Sequence, residues 1–224
     1  MSIEGRTVPK ITAVTAYSVA MGYLEAAVVI YLRTILFGDS GRIFPFSIMP
    51  PPLSAIEIGR EAATIVMLLT IAFIAGSNRI QRGMYFVYSF ALWDLTYYCF
   101  LRLLTGWPSS ALDYDVLFLI PFPWTSPVIC PILISLLLIS TSLILIVRIS
   151  RGKSMRISKL NAAIFLTGCV ADLYSFTHQI VVILVDKGPG GLEGFIPHSF
   201  EWPLFLAGFF MLGAAAVRVI RECR

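Results

Sequence analysis

Seven ionisable side chains interrupt stretches that are otherwise apolar: Glu25, Glu57, Arg60, Glu61, Asp94, Asp172 and His178. Carboxylates and an imidazole held together can move protons as general acid and base. They are also the usual ligands of zinc and non-haem iron. Glu57 and Glu61 stand four residues apart, with Arg60 three after Glu57, so a helix would place all three on one side. Asp172, Ser175 and His178 follow at steps of three, and Asp94 precedes Tyr98 by four. We expect Glu25, Glu61, Asp94 and His178 to converge, either as catalytic acid–base groups or as ligands of a divalent metal. Arg60, Tyr98, Asp172 and Ser175 are then the candidates for contacting substrate. No H-x-x-x-H, H-E-x-x-H or G-x-S-x-G motif narrows the chemistry further. A purely structural reading stands beside this one. In it Glu57 pairs with Arg60, Glu61 reaches Arg102, Asp94 bonds a tyrosine on another helix, and His178 is a satisfied core histidine.

The charges do not balance. Glu25, Glu57, Glu61, Asp94 and Asp172 face Arg60 alone, or three arginines if Arg33 and Arg102 reach inward. A charged residue at the bilayer centre costs about 2.5–3.5 kcal/mol on insertion scales. The excess implies protonated acids, a bound cation or water entering from one side.

The elements that carry these residues are membrane spans. The chain is 58% hydrophobic and 13% charged, against roughly 45–50% and about 25% in soluble domains. With 224 residues it makes one integral membrane domain, 1–224, and an all-α fold. Six stretches are long enough to cross as helices: Ile11–Leu32, Leu53–Gly76, Met84–Leu104, Val128–Val147, Leu160–Val185 and Pro203–Ile220. The first is too long for the apolar core of a signal peptide and carries Glu25, so it reads as a span. The four cysteines have no metal-ligand spacing and read as small apolar fillers.

Arg6, Lys10, Arg79, Arg82, Arg148, Arg151, Lys153, Arg156, Lys159, Arg218, Arg221 and Arg224 fall in segments on one side of six crossings. They are 12 of the 17 Lys and Arg residues. The positive-inside rule puts both termini in the cytoplasm, in the cell membrane. The net charge of +4 is therefore a loop property and no sign of a nucleic-acid partner. In this orientation every ionisable residue lies between the midplane and the outer face, and the cavity is built by the first, second, third and fifth spans. The outer loops "IFPFSIMPPPL" and "GWPSSALDYDVLFLIPFPWTSPVICP" are apolar, aromatic and rich in proline. Val116–Pro123 is too short to span and is expected at the interface, covering the bundle or serving as a lid.

Three functions fit. The first is a membrane-embedded enzyme acting on a lipid-soluble substrate. The second is a small proton- or cation-coupled transporter, disfavoured by the lack of an internal repeat. The third is an accessory subunit of a larger membrane complex. The partners are the lipid bilayer, a lipid-like substrate, and either further copies of the chain or other subunits.

Overall fold

The computed structural model describes residues 3–155 and 157–223, with side chains from residue 7 onward. Among them run six α-helices: α1 (Ile3–Phe37), α2 (Pro51–Ala75), α3 (Arg79–Thr105), α4 (Ile129–Ser150), α5 (Lys159–Lys187) and α6 (Trp202–Glu222). The six stretches expected from the sequence correspond to these helices: four lie wholly inside, the second runs one residue past the end of α2, and the fourth begins one residue before α4. Local chemistry sets several boundaries. Three prolines, Pro50 to Pro52, start α2, where a missing N–H costs nothing. Asn78 caps α3 by accepting from the Gln81 N–H at 2.9 Å. Gly106 ends α3 at φ 74°, a conformation that favours glycine.

Five of the six helices are long and apolar enough to cross a membrane, and the protein is membrane-embedded in character. The sixth, α3, is long enough but too polar to meet that standard. Its position explains why. It packs against α1, α2 and α4, so its tyrosines and Asp94 meet protein rather than lipid. The whole molecule is built inside out relative to a soluble protein. Along α2, Glu57, Glu61, Thr64, Leu68, Ala72 and Ala75 are buried, while Ile56, Val66, Leu69, Phe73 and Ile74 face outward. That arrangement is stable only in an apolar solvent.

α1 and α3 touch closely. Ser18 and Gly22 lie in the contact, and a Cβ at Gly22 would collide with Thr96 Oγ1 and approach the Trp93 carbonyl oxygen to 3.0 Å. α5 and α6 form a second close pair, joined to the rest through α4 and through the segment that precedes it. At one end of the bundle, basic side chains close the helix ends. Lys10 Nζ donates to the Ala75 carbonyl at 2.8 Å, Arg82 stacks on Phe73 at 3.7 Å, and Arg148 donates to the Ile220 carbonyl.

The segment after α3 departs from the all-α expectation. It forms an antiparallel hairpin, β1 (Tyr114–Phe118) with β2 (Trp124–Pro127), pairing Asp115 with Ser126 and Val116 with Thr125. The hairpin is tucked into the bundle rather than laid over it. Asp115 is 1% exposed, and Phe118 packs against Phe90 and Trp93 of α3. Strand pairing satisfies the backbone groups of this irregular segment, as their burial requires.

Candidate functional site

α1, α2, α3 and the hairpin enclose a cavity of about 120 Å³, room for several waters or a small polar group. Glu25 of α1, Arg60 and Glu61 of α2, Asp94 and Tyr98 of α3, and Asp115 of β1 all line it. Arg60 is its hub. Its Nη1 donates to Glu25 Oε1 at 2.5 Å, its Nε to Glu57 Oε1 at 2.9 Å, and its Nη2 to the same Glu57 oxygen. One guanidinium thus ties α1 to α2 and satisfies two carboxylates, the fork geometry that arginine offers and lysine does not.

Glu61, one turn further along the same face, does not reach Arg102, whose guanidinium instead donates to the carbonyls of Gly106 and Pro108. Glu61 accepts the backbone N–H of Leu119, at 3.0 and 3.1 Å to its two oxygens. Asp94 accepts the Ser135 hydroxyl of α4 at 2.8 Å, not a tyrosine. Neither Glu61 nor Asp94 has a salt-bridge partner among the described residues, in contrast to Glu25 and Glu57.

A second ion pair stands at the cavity's edge. Arg33 Nη2 lies 3.2 Å from Asp115 Oδ1 and its guanidinium sits 4.1 Å above the Trp107 ring. Tyr97 donates to the other Asp115 oxygen at 3.2 Å, and the Val116 N–H donates to the first at 2.9 Å. Burial pushes the Asp115 carboxyl above the usual carboxylate range, and Arg33 with these donors pulls part of the way back. Counting the lining groups, five acids (Glu25, Glu57, Glu61, Asp94, Asp115) meet two arginines (Arg33, Arg60). Toward the C-terminal end of α1 the walls turn apolar, with Leu32, Leu36, Phe37, Ile43, Phe46 and Met49.

His178 does not join this group. It sits on α5, its Nδ1 3.8 Å from Glu201 Oε1 before α6, with its ring beside Tyr174. Asp172 and Ser175 are also apart from the cavity. Ser175 donates to its own helix, to the Ala171 carbonyl at 2.9 Å. Asp172 is buried against α6, where a Cβ at Gly208 would collide with its Oδ1, and neither of its oxygens has a hydrogen-bond partner among the described residues. The expected fifth-span wall is therefore replaced by the β-hairpin. Among the described residues, no group of three or more His, Cys, Asp or Glu side chains is placed to hold a metal ion. The anticipated ligand set of Glu25, Glu61, Asp94 and His178 is not formed, because α5 pairs with α6 and stands away from α1 and α2.

Sequence reasoning missed two contributors. Asp115 reads as an outer-loop acid, and only the "YDVLF" alternation hints at a strand that turns it inward. The Leu119 N–H leaves no trace in any side chain. Compared with known proteins, the chain matches no family model, no curated protein and no solved structure.

Proposed function

We propose that this is a membrane-embedded enzyme acting on the polar head of a lipid-soluble substrate, with Glu61 and Asp94 as the proton-transferring pair. The observation that carries this reading is the difference among the carboxylates of one cavity. Glu25 and Glu57 are fixed by Arg60, whereas Glu61 and Asp94 each accept a single type of neutral donor and keep lone pairs for a substrate. The apolar wall from Leu32 to Met49 suits the hydrocarbon part of such a molecule. Arg60 and Tyr98 orient the head. The basic residues of the loops support an orientation with both termini in the cytoplasm, the cavity toward the extracytoplasmic half of the cell membrane and the five carboxylates of the spans within the bilayer. A homo-oligomer or a larger membrane complex is compatible with this arrangement.

The excess of five acids over two arginines favours a second reading, a small proton- or cation-coupled carrier. One preparation separates the two. Wild-type protein and Asp94→Asn are reconstituted into liposomes made from a total membrane lipid extract. Lipids are followed by mass spectrometry and internal pH by a trapped dye. The enzyme reading expects a lipid to be consumed and a product to appear with wild type only. Proton flux that Asp94→Asn abolishes, with an unchanged lipid spectrum, supports the carrier and overturns the enzyme.

A further inference from the structure

Away from the polar cavity, the pairs α3–α4 and α5–α6 diverge and leave a crevice of about 470 Å³. Phe86, Leu138, Met155, Phe165, Leu212 and Ala216 are among its walls. The volume is within the ~300–1,000 Å³ range of small-molecule pockets. Its lining offers almost no polar atom, so water gains nothing there and hydrocarbon fits. One wall is the stretch "RGKSMRISK", the loop between α4 and α5 with the first residue of α5, which holds four basic residues and no acid. Its apolar side chains, Met155 and Ile157, line the crevice, while Lys153 and Lys159 are exposed beside them. No hydrogen bond or ion pair engages either lysine Nζ among the described residues. At that end Asn161 is already partnered: it donates to Glu222 at 2.7 Å and accepts from Arg218 at 2.6 Å.

We propose that this crevice binds one acyl chain of an anionic membrane phospholipid, with the phosphate of its headgroup held by Lys153 and Lys159. The charge of the loop selects an anionic lipid over a zwitterionic one, because basic pockets between helices on the cytoplasmic side recognise acidic headgroups. The assignment rests on the membrane embedding and on the sidedness proposed above, not on the chemistry of the acidic cavity.

The test is native mass spectrometry of the full chain released from nanodiscs containing equal amounts of phosphatidylglycerol and phosphatidylcholine. Wild type is expected to keep one phosphatidylglycerol, favoured roughly twenty-five-fold over phosphatidylcholine if each lysine adds about a fivefold preference. The double variant Lys153→Ala/Lys159→Ala should lose that preference. Ala216→Trp should fill the crevice and abolish retention of either lipid; if it does not fold, the lysine variant, altered only at exposed positions, decides alone. Equal retention of both lipids by wild type overturns the proposal. So does unchanged selectivity without the lysines, or a dimer released with no lipid, which would make a second copy the occupant.

Discussion

The two hollows of this bundle are opposites. The cavity among α1, α2, α3 and the hairpin is small, and buried ion pairs and hydrogen bonds cross it. The crevice between α3–α4 and α5–α6 is about four times larger, and almost no polar atom faces it. In a soluble protein the larger void would be the weaker point of the core. In a bilayer the reverse holds, because lipid fills an apolar gap at little cost while nothing in the membrane replaces a lost charge partner. Stability should therefore be concentrated in the small cavity.

That contrast is breakable by substitution. The largest effect is expected from Arg60→Leu, which leaves Glu25 and Glu57 buried without their shared cation. Breaking a buried pair costs about 3–5 kcal/mol, so the midpoint of thermal unfolding in detergent should fall steeply. The triple variant with Glu25→Gln and Glu57→Gln should recover much of the loss. Next comes Gly22→Val, which forces α1 away from Thr96 and the Trp93 carbonyl. Overpacking of this kind costs roughly 1–3 kcal/mol, and the same unfolding scan reads it. Leu138→Ala on the crevice wall should cost less than about 1 kcal/mol, because it enlarges a space that hydrocarbon can fill. A loss as large as that of Arg60→Leu would remove the contrast.

The smallest effect concerns pH, outside the helices. Slight burial pushes the Asp113 carboxyl up, but donors from Ser110 and Ser109, with Arg102 nearby, outweigh it and hold the group below the usual carboxylate range. A lowered folded-state value means that its stabilising effect is present above pH ~4 and lost as pH falls through the lowered value. The protection of the Ser109 and Ser110 amides against hydrogen exchange, taken relative to the intrinsic rate at each pH, should fall by about two- to threefold as the pH drops below 4, the scale of an exposed contact.

The helices were legible because each carries a run of about twenty mostly apolar residues, and because "EIGREAA" places three charges at helical spacing. Their partners were legible only in part. Glu57 with Arg60 follows from a separation of three, but Glu25 reaching Arg60 depends on how α1 leans on α2, which no periodicity encodes. His178 shows the limit most clearly. Its depth along α5 matches that of Glu61 and Glu25, yet depth says nothing of which neighbours a helix chooses. Gly168 and Gly208 bring α5 against α6, and the histidine goes with them. The hairpin was hidden for another reason. Its run "VLFLIPFPW" is short, apolar and broken by proline, and only strand pairing inside the bundle makes such a stretch regular.

The central claim is that Glu61 and Asp94 work in one cavity from which His178 is excluded. The most direct measurement compares Glu61→Gln, Asp94→Asn, their double variant and His178→Ala in the liposome preparation, reading lipid conversion and proton flux together. Either carboxylate variant is expected to abolish the activity, the double to be no worse than the worse single, and His178→Ala to keep wild-type rates. Loss of activity in His178→Ala, with both carboxylate variants intact, would contradict it.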